Sequence, residues 1–141
     1  MTCQVKASSF EMQTAGFGDI LDITRQVAKG VSGSGLSDGT ATVFVPGSTA
    51  GITTIEYEPG AVEDLKKAIE RQASANLHYA HDARWGDGNG FSHVRAALMG
   101  ASLTIPFTRG ELQLGTWQQI VLCDFDNRAR KREVLVQVMG V

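Results

Sequence analysis

"TWQQIVLCDFDNRARKREVLVQVMGV", residues 116–141, decides the fold class: two β-rich runs flank a short basic segment. The basic cluster "RARKR" at 128–132 reads as a solvated hairpin turn in preference to an anion site, since it lacks the interleaved aromatics with which nucleic-acid surfaces stack bases. Upstream the β character continues through "SLTIPF", a turn at "TRG", and "ELQL". Further back, "TATVFVP" is β-branched and stops at Pro46, "AGITTIEY" is β-rich again, and "GSTAG" between them reads as a tight turn or bulged corner. At the N-terminus, "QVKASSFEMQT" alternates loosely and "GFGDILDI" follows a Gly-rich turn, which together predict a hairpin.

Helices interrupt this pattern without a regular βαβ rhythm. Thr24 is placed to cap a short helix through "RQVAKGV", with Val27 and Val31 on one face, before "SGSGLSDG" ends it. The clearest helix opens at "EPGAVED" and runs through "LKKAIERQ": acidic residues come first, basic ones later, and Val62, Leu65 and Ile69 fall at helical spacing. In "SHVRAALMG", Ser92 can cap and Gly100 can terminate a helix of about two turns. About eight strands against two or three helices point to an α+β fold, a largely antiparallel sheet or sandwich, in one domain spanning residues 1–141.

Composition narrows the function classes. At 141 residues, 43% hydrophobic and 20% charged, the chain can bury a core without staples. A net charge of −2 argues against a nucleic-acid partner held by phosphate contacts. No apolar run reaches bilayer length, and "MTCQVKASSFEMQ" lacks a signal-peptide pattern, so no membrane partner and a cytoplasmic location are expected. Cys3 and Cys123 form no CxxC and read as reduced thiols. Cys123, inside "IVLCDF", suits burial as a small hydrophobe.

The candidate chemistry lies in "YAHDARWGDGNGFSH", residues 79–93, a polar, Gly-rich loop with a histidine near each end. The spacing of His81 and His93 excludes one face of one helix, so the loop must bring them together. Asp82, Asp87 and Asn89 among the glycines can fold tightly and present oxygen ligands. Two imidazoles and a carboxylate leave an open position on a divalent ion, as catalytic sites require. His93, in the first turn of its helix, sits where the helix dipole disfavours the imidazolium, and a neutral ring is the metal-binding form. The alternative is that each histidine simply hydrogen-bonds a backbone group and ties the loop down. His78 has no such setting and reads as a surface residue. Upstream, the hydroxyls and N–H groups of "PGSTAGITTIEYEPG" can cradle a phosphate. Glu56 and Glu58 share a strand face and can share a cation, or cap the helix that follows, a role that suits Glu58 better.

Taken in order, "VFVPGSTAGITTIE", "YAHD", "GNGFSHVRAALMGASLTIPF", "GELQLGTWQQIVLCDFD" and "RKREVLVQVMG" resemble the YjbQ-like family, often labelled secondary thiamine-phosphate synthases, over about two thirds of the chain. The resemblance implies an α+β homotrimer with a histidine-lined pocket between subunits. The implied activity joins an aminopyrimidine pyrophosphate to a thiazole phosphate and releases pyrophosphate. The family pattern has histidines at His81 and His93 and a glutamate at Glu56, but its usual third histidine is Gly47 here. A divalent ion, zinc or magnesium, would then fall to His81, His93, Glu56 and Asp82, with the first three catalytic. Ser48 and Thr49, helped by Arg95, would hold a phosphate; Trp117 would stack on a heterocycle, or else belong to the core, and Gln118 would orient it. Imidazole ligands prefer zinc-like ions, so metal-dependent hydrolysis fits as well. A non-catalytic trimer binding a phosphorylated metabolite or a metal is the third reading.

Overall fold

The computed structural model describes residues Met1–Val141, as eight strands and four helices. In chain order these are β1 (Gln4–Thr14), β2 (Asp19–Asp22), α1 (Thr24–Gly33), β3 (Gly39–Phe44), β4 (Ala50–Ile55), α2 (Pro59–Gln72), α3 (Ala80–Trp85), α4 (Gly90–Met99), β5 (Ser102–Thr108), β6 (Glu111–Leu112), β7 (Gln119–Asp124) and β8 (Arg130–Gly140). All strand pairing is antiparallel, in a five-stranded sheet ordered β1-β8-β3-β5-β6 and a three-stranded sheet ordered β2-β7-β4. The fold is therefore α+β, as expected, with one helix more than the sequence pattern suggested.

The alternation of β8 shows why the sheets stack. Val134, Val136 and Val138 point inward and are at most 1% exposed, while Glu133, Leu135, Gln137 and Met139 face out. They meet Ile52, Ile120 and Leu122 of the smaller sheet and Ile23, Val27 and Val31 at α1 in one core cluster. β7 lies between two apolar layers. Ile120 and Leu122 face that cluster, whereas Val121 and Cys123, with Phe125 beyond the strand, pack with Ala96 of α4 and Val62, Leu65 and Ile69 of α2. Burial on both faces explains why its sequence is a continuous apolar run. The Cys123 thiol, fully buried, is pushed up to about 12 by desolvation and then by the nearby Asp124 and Asp19 charges, so it stays protonated and inert.

Two expected hairpins are absent. β1 pairs with β8 and β2 with β7, so the turn Gly16–Phe17–Gly18, all at positive φ, carries the chain from one sheet to the other. Likewise β7 and β8 lie in different sheets, and the basic segment is a crossing rather than a hairpin turn. Local alternation specifies a strand but not its partner, and burying both faces of β7 decided the pairing. Thr24 and Ser92 are helical residues rather than caps. The Thr24 hydroxyl instead donates to Asp22 and accepts from the Ile120 N–H. Glu58 does cap α2, accepting from the N–H groups of Gly60 and Ala61, which hold its carboxyl below the usual range. No helix is long and apolar enough to cross a membrane.

Candidate functional site

One end of the three-stranded sheet opens into a cleft of about 370 Å³, lined by the 47–49 turn, residues of α3 and α4 with the turn between them, and the start of β8. The segment expected to be a loop is mostly helical. His81 lies in the first turn of α3, and α4 begins two residues before Ser92, so His93 is its fourth residue. The carboxylate of Asp82 accepts the Gly90 N–H at 2.8 Å, capping α4 from the preceding helix, where the dipole favours negative charge. That contact closes α3 onto α4. The imidazole rings of His81 and His93 consequently lie 4.4 Å apart, centroid to centroid, tilted by 42°.

His81 Nδ1 is 3.4 Å from both Asp82 Oδ1 and Asp87 Oδ1, which leaves Nε2 as the ring nitrogen free to bind a ligand. The potential ligand atoms of His81, Asp82 and Asp87 lie within 4.8 Å of one another. Because Asp82 Oδ1 already caps α4, the freer carboxylate is Asp87. Asn89 donates from Nδ2 to Asp126 at 3.2 Å, and its Oδ1 is buried with no hydrogen-bond partner. Imidazole nitrogens, carboxylates and an unpartnered amide oxygen at one cleft are a donor set that fits a divalent cation.

Close approach of α3 to α4 depends on Gly90. A Cβ there would sit 2.5 Å from Tyr79 Cβ, so α3 would have to move. Gly90→Ala is expected to cost about 1–3 kcal/mol through overpacking. It should also weaken cation binding by parting the histidines, read by urea unfolding beside calorimetric titration. Unchanged cation affinity would show that the contact does not set the geometry.

The opposite wall is charged. Arg132, 4% exposed, grips Asp124 through Nε at 2.7 Å and Nη2 at 2.8 Å. Nη2 also donates to the Thr49 hydroxyl at 2.7 Å. Burial alone would raise the Asp124 carboxyl, but Arg132, the Thr14 hydroxyl and the Asp126 N–H outweigh it and hold it low. Asp126 is also lowered despite burial, by Asn89, the Asn127 N–H and its ion pair with Arg130. None of the Arg132 hydrogen bonds uses Nη1, and a Cβ on Gly47, whose φ is +120°, would come within 3.0 Å of it. The guanidinium thus borders the space into which a side chain at residue 47 would project.

The expected site residues divide into three groups. His81, His93, Ser48 and Thr49 come together here with Asp82 against His81 behind the cleft wall, although the Thr49 hydroxyl is engaged by Arg132 and only Ser48 is exposed. Glu56, Trp117 and Gln118 sit at the other end of the three-stranded sheet, where Ile55 pairs with Gln119, about 20 Å away along a six-residue strand. There Gln118 donates to Thr54, and Trp117 is solvent-exposed rather than core. Glu56 therefore cannot complete a cation site with His81 in the same chain, and the carboxylate that lies beside His81 on the cleft wall is Asp87. Arg95 is also elsewhere: buried between α4 and α2, it donates to the Ala73 carbonyl and pairs with Glu70. For the run that holds Arg130 and Arg132 the sequence reading preferred a solvated turn to an anion site. Their signal was the phase of β8, which puts both on the same inward side as Val134 and Val136.

The comparisons with known proteins agree with this architecture. Residues 8–141 match the family described as UPF0047 protein YjbQ-like. A UPF0047 protein of Methanothermobacter thermautotrophicus is 33% identical over 137 residues, covering 97% of this chain and 94% of that protein. The UPF0047 protein YugU of Bacillus subtilis is 33% identical over 133 residues, covering 94% and 98%. Among solved structures, a YbjQ-like protein of unknown function from Sulfolobus solfataricus superposes with a TM-score of 0.94 at 31% identity, covering 99% of this chain and all of that one. A family profile that runs through both sheets and the cleft, together with full-length relatives, shows that this chain belongs to the YjbQ-like UPF0047 family.

Proposed function

We propose that the protein is an enzyme acting on phosphorylated small metabolites with a divalent cation, zinc or magnesium, in the manner of a secondary thiamine-phosphate synthase. The observation that supports this reading is the approach of the His81 and His93 rings to 4.4 Å in a cleft that also holds Asp87, Ser48 and two guanidinium groups. In the transfer, the bond from the pyrimidine methylene carbon to the pyrophosphate oxygen breaks. Pyrophosphate leaves with the electron pair, and the thiazole nitrogen forms the new bond to that carbon. His81 and His93, with Asp87, would hold the cation, which when bound supplies charge to stabilise the departing oxyanion. Asp82, against Nδ1, turns His81 so that Nε2 faces the ligand. Ser48 and Arg132 Nη1 offer donors to the anionic oxygens, and Asp124 fixes the guanidinium in place.

A homotrimer belongs to the proposal. Glu56, Trp117 and Gln118, at the far end of the sheet, can serve such a cleft only if it belongs to a neighbouring copy. The second reading is metal-dependent hydrolysis of a phosphate ester, favoured by the imidazole-rich donor set, which suits zinc better than magnesium. Incubating metal-loaded protein with the pyrimidine pyrophosphate, with and without the thiazole phosphate, separates the readings. Pyrophosphate released only when both are present, with thiamine phosphate formed, is the expected result. Release without the thiazole would identify a hydrolase, and binding without turnover a non-catalytic carrier.

A further inference from the structure

β1 is a free edge of the five-stranded sheet: β8 lies on one side of it and no strand on the other, so alternate N–H and C=O groups along its 11 residues point away from the ladder. Sheets usually blunt such an edge by shortening it, bulging it or placing proline in it. β6, at the opposite edge, has two residues, whereas β1 runs in unbroken register with β8 from Gln4 to Thr14 and contains no proline. Lys6 and Ser8 lie opposite Val138 and Val136 and so share their inner face, but both are exposed where the valines are buried. The path of α1 is the reason. A Cβ on Gly30 would stand 3.0 Å from Ser8 Oγ and 3.2 Å from Val136 Cγ1, whereas a Cβ on Gly33 would meet nothing within 4 Å, so helix and strand diverge beyond Gly30.

Between them lies a groove of about 550 Å³ that shares no residue with the histidine cleft. Its strand wall is the consecutive run Lys6–Phe10, about 17 Å long, and its helix wall is the face of α1 that carries Gln26, Lys29, Gly30 and Gly33. An edge strand beside a helix is the geometry in which an extended peptide adds to a sheet. No acidic residue lines the groove, and neither Lys6 nor Lys29 is in an ion pair. An inward lysine repels indiscriminate pairing but accepts a strand that brings a carboxylate. We propose that this groove docks an extended acidic segment of a partner protein, which joins the sheet as a sixth strand beside β1 and sets its carboxylates against Lys6 and Lys29. A second copy of this chain fits worse, because pairing β1 with β1 would merge two such grooves and gather both lysines of each copy with no carboxylate to meet them.

The test titrates the full-length protein into a fluorescein-labelled peptide, Thr-Glu-Thr-Glu-Thr-Val-Thr, whose glutamates share one face of a strand, and reads fluorescence anisotropy. This peptide should bind saturably, and its counterpart with lysine for glutamate should not. Two further peptides are N-methylated, one at the threonines and the other at the residues between them. Only one set of N–H groups can face β1, so one methylated peptide should lose binding and the other keep it. Lys6→Glu combined with Lys29→Glu should weaken the acidic peptide about tenfold or more and let the lysine peptide bind in its place, an exchange that a misfolded variant could not show. The proposal is overturned if the acidic peptide does not bind, if the two methylated peptides behave alike, or if the double variant keeps its affinity. A double variant that sediments differently from the parent would also overturn it, by assigning the edge to a second copy.

Discussion

Alanine at both His81 and His93 is expected to abolish divalent-cation binding, lowering affinity by more than about 100-fold. Groups that merely orient a metal ligand are worth about 10–100-fold, and the double variant removes both imidazoles. Asp87→Asn should fall within that lower range, because it removes the carboxylate that Asp82, occupied in capping α4, does not replace. His78→Ala is the control, as its exposed ring lies outside the cleft. Protein purified without added metal or chelator is analysed for bound elements, and each variant is then titrated with Zn²⁺ and Mg²⁺. Equal ion content in the parent and the double variant would sink the cation site, and with it the metal-assisted chemistry.

The largest loss of stability is expected from Asp124→Ala. The carboxylate is fully buried and accepts from Arg132, Thr14 and the Asp126 N–H, so its removal strands a guanidinium that is 4% exposed. Breaking one side of a buried pair costs about 3–5 kcal/mol, for this chain length a fall in Tm on the order of 10 °C. Asp124→Ala combined with Arg132→Leu should recover much of that loss, since no unpaired charge stays buried. The same pair sets an acid limit. Asp124 and Asp126 are held below the usual carboxylate range in the fold. Their contribution is therefore complete above that range and is lost as pH falls below about 4, through their lowered values. Urea unfolding from pH 7 down to pH 3 should show that loss in the parent and a shallower one in Asp124→Ala. A cost under about 1 kcal/mol for Asp124→Ala would mean that the cleft wall does not depend on this pair.

Much of this protein could be read locally. The spacing of Val62, Leu65 and Ile69 marks α2, the β-rich runs mark the strands, and the absence of βαβ rhythm marks the α+β class. His81, His93 and Asp82 were legible as potential ligands by residue type although their spacing is loose, and the fold brings them close to one another. The errors were ones of partnership. A strand's alternation states which side chains share a face but not which strand lies beside it, so β1 and β2 read as a hairpin and β7 and β8 as another. The basic run looked solvated because charge is normally left in water. Only the buried carboxylates of Asp124 and Asp126, brought opposite by the crossing between sheets, make Arg132 an interior residue and Arg130 a half-buried one.

What the sequence by itself determined is the set of elements and the chemical groups available to a site, because periodicity and residue type act over a few positions. Tertiary structure alone decided which groups meet. It set Asp87 beside His81 and left Glu56 and Trp117 at the far end, because a sheet some 20 Å long holds its two ends apart whatever the sequence between them suggests.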